Sequence, residues 1–329
     1  MSEPTRPPLN HRLTASDQGR RADKVVKTLV GTAPWSFVRK LFRTGCVTLE
    51  GRTLGASDRL EGLGELRIDT ASLAERPGTI LPNRKIPLTV VHRDEHVLVV
   101  NKPAGFVMTP GPGHGSDTIL HALVAADPVF AELGPELGHG LVQRLDRDTS
   151  GLLIAARGPD ARAAFIALFK ERAVAKRYLA LVDGSPADEE GEIRAPLIPG
   201  GGSKRTEVLT SPWLEASAGP AKLPAAAKSA QTRWRVLERL GPVTLVECRP
   251  ETGRTHQVRA HLASIGLPVR ADALYGTAGP PGTRHLLHAA GLAFRHPLTG
   301  VELELEAPLP PDFRKALKGL RRRRDRASG

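Results

Sequence analysis

A chain of 329 residues, 40% hydrophobic and 25% charged, can bury one large core and a second, smaller one. No apolar run could span a bilayer, the opening Met1-Ser2-Glu3-Pro4 lacks a signal-peptide stretch, and a cytoplasmic protein is expected. Two cysteines, Cys46 and Cys248, exclude a disulfide framework or a cysteine-rich metal site, while a net charge of +12 points to a polyanionic partner.

In chain order, residues 1–18 are polar and proline-containing and read as a disordered lead. Residues 19–70 read as a compact module. Pro34-Trp35-Ser36 offers a helix start with Ser36 as N-cap. Phe37, Val38, Leu41 and Phe42 then share an apolar face, and Arg39, Lys40 and Arg43 project from the other. Gly45 closes the helix, and Val47 and Leu49 alternate into a strand that turns at Glu50-Gly51-Arg52. A basic helix followed by a β-turn resembles the small RNA-binding module of S-four type, first seen in a ribosomal small-subunit protein. That resemblance implies phosphate contacts from Arg21, Lys24, Lys27, Arg39, Lys40 and Arg43.

Residues 71–87 read as a linker. Short apolar strands follow at 88–91, 97–100, 152–156, 178–182, 232–237 and 244–248, with helices at 159–169 and 257–265. On the second helix Val258, Leu262 and Ile265 share one side. Residues 185–230, rich in Gly, Pro, Ala and Ser, read as an insertion, and residues 313–329 as a basic tail. Its run Arg321-Arg322-Arg323-Arg324, with Arg326, is expected to be a disordered arm adding non-specific affinity.

Four stretches stand out: Asn101-Lys102-Pro103-Ala104-Gly105; Gln143-Arg144-Leu145-Asp146-Arg147-Asp148-Thr149-Ser150-Gly151; Lys176-Arg177-Tyr178; and Gly253-Arg254-Thr255-His256-Gln257-Val258-Arg259, continuing to Asp272-Ala273-Leu274-Tyr275-Gly276. Alone, Arg144-Leu145-Asp146-Arg147 is a turn of salt-bridged charges. Its flanks, Leu141-Val142 and Leu152-Leu153-Ile154, place it at the edge of a buried sheet, where a carboxylate can lie in a cleft beside arginine. His256, His261, His285 and His288 lack a supporting Cys or carboxylate cluster at ligand spacing, so no metal is expected. No Walker or dinucleotide fingerprint is present, and no cofactor is expected.

The order and spacing of these stretches over residues 88–312 resemble the RluA-type family of pseudouridine synthases. The resemblance implies an α+β fold: a mixed, mainly antiparallel sheet for the catalytic domain, and a small N-terminal α/β RNA-binding module. It implies an isomerase that converts uridine to pseudouridine in structured RNA, with Asp146 as the catalytic carboxylate, Tyr178 beside it and Arg259 as its buried partner. The expected partner is RNA, ribosomal RNA of the large subunit before transfer RNA, and the expected state is a monomer away from membranes. Arg144, Arg147, Lys102 and Arg254 are further candidates for backbone contacts, and Thr149, His256 and Gln257 for positioning.

Two residues depart from the family pattern. Gln143 stands where histidine usually precedes Arg-Leu-Asp; glutamine hydrogen-bonds but carries no proton, so it is assigned to positioning. Ala271 precedes Asp272 where glycine is common, which bears on a turn. The rival readings are a non-catalytic RNA-binding ribosome-assembly factor and an aspartate-dependent RNA glycosidase.

Overall fold

The computed structural model describes residues 8–31, 35–69, 80–111, 115–134, 137–200, 205–209 and 224–328. They fall into two units, residues 1–79 and residues 80–329.

The first unit runs β1 (Leu9–Arg12), α1 (Ala22–Leu29), α2 (Trp35–Arg43), β2 (Val47–Leu49), β3 (Arg52–Thr53) and β4 (Glu65–Ile68). Its strands pair antiparallel in the order β1-β4-β2-β3. Phe37, Val38, Leu41 and Phe42 are buried against Val25, Val26, Val47, Leu66 and Ile68. Glu50 and Gly51 both take positive φ, 48° and 78°, the backbone of a two-residue hairpin whose twist matches its strands. Ser36 is not the helix cap, because α2 already begins at Trp35, whose ring lies under the Lys24 ammonium. Nor is the whole of 1–18 a disordered lead. Leu9–Arg12 pairs with Glu65–Ile68, Leu13 is buried, and the Asp17 carboxylate accepts hydrogen bonds from the Thr14 backbone and hydroxyl. Two leucines among polar residues are too few to show a period, and the pairing partner lies far along the chain.

The second unit is built on one mixed, mainly antiparallel sheet. Its strands are β5 (Thr89–Arg93), β6 (Val97–Lys102), β7 (Ser150–Ala156), β8 (Ala175–Asp183), β9 (Glu190–Arg194), β12 (Gln231–Arg239), β13 (Val243–Pro250), β14 (Leu287–Arg295) and β15 (Glu302–Glu306). A separate hairpin joins β10 (Leu197–Pro199) to β11 (Thr206–Val208). The order is β5-β6-β7-β14-β8-β13-β12-β9, with β15 also on β14; among the described residues of this sheet only β7 and β14 run parallel. Every residue of Ser150–Ala156 is buried, as a strand covered on both faces requires. Gly151 is obligatory there: with φ +116°, an added Cβ would lie 2.2 Å from the Ala289 carbonyl oxygen.

Alternation along the strands assigns the faces. Val100, Leu153, Tyr178, Ala180 and Val246 point to the face covered by α3 (Ile119–Ala126), α4 (Val129–Glu132) and α6 (Gln257–Ser264). Leu152, Ile154, Leu181 and Leu245 point to the opposite face, under α5 (Pro159–Lys170) and α7 (Pro311–Ser328).

Four sequence expectations are corrected here. Ile80 and Ile86 are buried in the main core, so the expected linker 71–87 gives its last part to this unit; residues 70–79 lie outside the described residues. The 185–230 segment contributes β9, a sheet edge paired with β12. Ile265 caps α6 at 41% exposure and does not share the buried side of Val258 and Leu262. The basic tail is helical. Phe313, Leu317 and Leu320 bury themselves against Leu181, Leu240, Val243, Leu245 and Leu286. Each such burial is worth about 1.5–3 kcal/mol, against a few tenths per like-charge pair along a helix. The apolar positions thus outweigh the arginine run.

Candidate active site

Asp146 lies in the loop entering β7, on a turn anchored by buried Leu145. Two inward-turned cations hold this loop through its carbonyls. Lys102 Nζ donates to the carbonyls of Pro103, Arg147 and Thr149, and the residue has no exposed surface. Its burial pushes the amine down to about 7. Arg284 donates to the carbonyls of Asp148, His285 and Leu287 and to Ser150 Oγ. Lys102 was expected to touch RNA and is instead a structural clamp. A side chain that closes the β6 and β7 loops from beneath has no hydrogen left for a phosphate.

The short helix α6 brings Arg259 to the carboxylate. Its preceding turn is locked by Gln257, which accepts from Thr252 Oγ1 and the Arg254 N–H and donates to the Gln231 carbonyl and Thr232 Oγ1. The guanidinium is divided between two acids. Nε and Nη2 form a bidentate pair with Asp272, at 2.7 and 2.8 Å, while Nη1 donates to Asp146 Oδ2 at 3.0 Å. Asp272 is fully buried and Asp146 keeps 23% of its side-chain surface. Burial alone would raise the Asp272 carboxyl, but the bonds and charge of Arg259 prevail and hold it below the usual carboxylate range. Asp272 also accepts from the backbone N–H groups of Leu274 and Tyr275. It therefore fixes Arg259, and Arg259 fixes the face that Asp146 presents.

Around this pair stand three rings. Tyr178, on β8 between β13 and β14, packs against both halves of the front core. Burial, and then the charge of Asp146, pushes its phenol well above the ordinary tyrosine range, so it stays protonated. His256 takes a left-handed backbone (φ 56°) ahead of α6, which sets its Nε2 3.9 Å from Asp146 Oδ1 and its Nδ1 3.1 Å from the Tyr275 hydroxyl. Burial lowers the His256 imidazole, and the neutral form prevails at neutral pH. The Tyr275 ring lies 5.2 Å from the Arg259 guanidinium carbon. Thr149 shares a hydrogen bond with His285, whose burial, followed by the charge of Arg259, lowers it to about 4.

The remaining expected residues are distributed more loosely. Gln143 has a buried Nε2 with no hydrogen-bond partner among the described residues. Arg144 is exposed; Arg147 is exposed and paired with Asp148; Arg254 is exposed and donates to the Ser229 carbonyl. In the first unit Arg39 and Arg43 are exposed, Arg21 pairs with Asp23, and Lys27 donates to the Gly31 carbonyl. The Lys40 side chain lies outside the described residues. Sequence reasoning missed Asp272, Tyr275, His285 and Arg284 as site residues. The first two stood in a quoted motif and His285 was weighed only as a metal ligand, whereas Arg284 gave no local signal.

A carboxylate on a rigid loop, shared with a buried arginine and flanked by a protonated tyrosine, is the arrangement expected for chemistry at a nucleotide sugar. The comparisons with known proteins agree. Residues 96–264 match the RNA pseudouridylate synthase family. The chain belongs to that family. It is 34% identical over 320 residues to the ribosomal large subunit pseudouridine synthase D of Zymomonas mobilis, covering 94% of this chain and 96% of that protein. It is 32% identical over 326 residues to the ribosomal large subunit pseudouridine synthase C of Escherichia coli, covering 95% and 96%. Among solved structures, human RNA pseudouridylate synthase domain containing 4 matches with a TM-score of 0.55 and 25% identity, over 71% of this chain and 93% of that one. As an RNA pseudouridine synthase the chain is an isomerase, and its mixed, mainly antiparallel fold is similar to that of the solved synthase domain.

Proposed function

We propose that this synthase isomerises uridines in large-subunit ribosomal RNA, with Asp146 as the catalytic carboxylate. The names of the full-length relatives support the substrate. The Asp146–Arg259–Asp272 network beside Tyr178 is the observation that carries the catalytic assignment.

In the reaction the N1–C1′ bond of the target uridine breaks, the uracil turns, and C5 joins C1′. N1 regains a proton and C5 loses one, so no electrons are exchanged. The nucleotide must first leave its stack. Asp146, oriented by Arg259, then either adds to C1′ or removes the C2′ proton. Tyr178 offers its ring to the everted uracil and its oxygen to the region of C5. Gln143, whose amide can hydrogen-bond but carries no titratable proton, is kept for positioning and takes no part in proton transfer. Arg144, Arg147 and Arg254 meet the flanking phosphates. In residues 1–79, Lys24, Arg39 and Arg43 supply further contacts, in keeping with an S-four-type module; Arg21, like Arg147, would exchange its aspartate partner for a phosphate, and Lys27 holds the Gly31 carbonyl.

Asp146→Asn keeps the shape and removes the charge. It is expected to abolish tritium release from C5-labelled uridine in a large-subunit ribosomal RNA transcript, with RNA affinity within about twofold of wild type. Wild-type turnover by that variant would end the assignment. Pseudouridine mapping in cells lacking the protein tests the substrate: a lost site in transfer RNA, with ribosomal RNA unchanged, would overturn it.

A further inference from the structure

The C-terminal helix α7 carries its charges in register. Arg314, Lys318, Arg322 and Arg326 follow one another at i+4, with Lys315 beside them, and all five are exposed. At 100° per residue they form one stripe about 18 Å long, opposite the buried Phe313, Leu317 and Leu320. None of the five makes an ion pair among the described residues. The acidic groups near them are spoken for: Glu238 on β12 pairs with Arg321 and Arg324, Asp325 with Arg324, and Asp312 in the first turn with Arg284.

The stripe is fixed in space in two ways. Its apolar side is packed on the sheet, and Asp312 grips Arg284, which donates to the Asp148 carbonyl in the loop carrying Asp146. Strand alternation also separates it from the reaction. Tyr178 and Ala180 face α6 and Arg259, whereas Leu179 and Leu181 face α7. A nucleotide held at Asp146 therefore lies on the opposite face of the sheet from these five cations.

We infer that the outer face of α7 is a second RNA-contact surface, taking the phosphates of a helical segment of the substrate remote from the target uridine. The inference rests on the proposed RNA substrate and adds to it. Charge complementarity selects a polyphosphate backbone, and a row of cations of that length spans several successive phosphates. A membrane surface is disfavoured because an interfacial helix needs a free apolar face, and that of α7 is already covered. The surface would favour large folded RNA, which offers a second helical segment to the outer face of α7, over a short stem-loop confined to the catalytic face.

The test is the variant Arg314→Gln, Lys315→Gln, Lys318→Gln, Arg322→Gln, Arg326→Gln in the full chain. Glutamine keeps helix propensity and every position is exposed, so an unchanged thermal melt is expected. Two probes are used: a folded large-subunit ribosomal RNA transcript and the short stem-loop excised around the modified uridine. The variant should bind the transcript on the order of tenfold more weakly at moderate salt, and the slope of log K against log salt should fall by up to about 4. Binding to the stem-loop should not change. A second variant that exchanges arginine and lysine at the five positions should keep both wild-type values. Unchanged affinity and slope on the transcript would overturn the inference, as would equal losses on both probes. Loss of binding to anionic vesicles with transcript binding intact would assign the stripe to a lipid surface instead. These are binding measurements, so failure of the proposed activity would appear separately, as absent tritium release by the wild type.

Discussion

Lysine at position 259 would keep the positive charge and lose the fork. It can meet Asp272 or Asp146 as a point charge but cannot hold both in one plane. Arg259→Lys is expected to lower single-turnover pseudouridine formation about 10²-fold with little change in RNA affinity, because the loss is one of carboxylate orientation. A loss confined to affinity would mean that Arg259 serves RNA binding. A second residue-scale expectation concerns acid stability. His288 is buried with Nδ1 at Ser150 Oγ and Nε2 at the Ala307 carbonyl, and burial lowers its pKa to about 4 from the ordinary 6.5. The unfolded chain thus binds the proton first, and stability falls as pH drops from about 6.5 to about 4, by on the order of 3 kcal/mol from this group. Urea midpoints measured across that window should show the slope, and His288→Asn should reduce it by this group's share while that of His285 remains. The sequence displayed Asp146, Tyr178 and Arg259 through their motifs. It did not display Asp272 as the acid that takes most of Arg259, because that pairing joins α6 to a turn thirteen residues on. Lys102 was misread for the same reason: two of its carbonyl partners lie on a loop more than forty residues away.

The parallel contact of β7 with β14 at Ser150–Gly151 anchors the loop that carries Asp146. Gly151→Ala would drive a methyl group into the Ala289 carbonyl in a backbone conformation that already disfavours a side chain. A loss of about 3 kcal/mol or more is expected in chemical denaturation, with activity falling in parallel. A neutral substitution would show that the two strands can separate without harm. Six of the nine strands in the large sheet and the helices α2, α5 and α6 were legible from apolar periodicity. The central strand β14 was not. Leu287–Arg295 mixes leucine, alanine, glycine and histidine without a period, because most of it is covered on both faces and neither side needs to be polar. Ala271 at φ 62° is the turn that the missing glycine foretold.

At the scale of the whole chain, residues 1–79 and 80–329 each enclose a core of their own. Removing residues 1–79 should leave a protein that melts cooperatively and turns over, with weaker RNA binding and a shallower salt dependence. An unchanged salt slope would take that unit out of RNA recognition. The sequence by itself determined the family, the catalytic aspartate expected of it, the basic character and the two-part organisation. Those reside in contiguous motifs, composition and local periodicity, which need no knowledge of distant neighbours. Only the tertiary structure decided that the arginine-rich end is a docked helix, that Lys102 is a buried clamp and that Asp272 completes the site. Each depends on which residues far apart in the chain share a desolvated contact, and hydrophobic burial and charge pairing across such distances leave no mark on the local pattern.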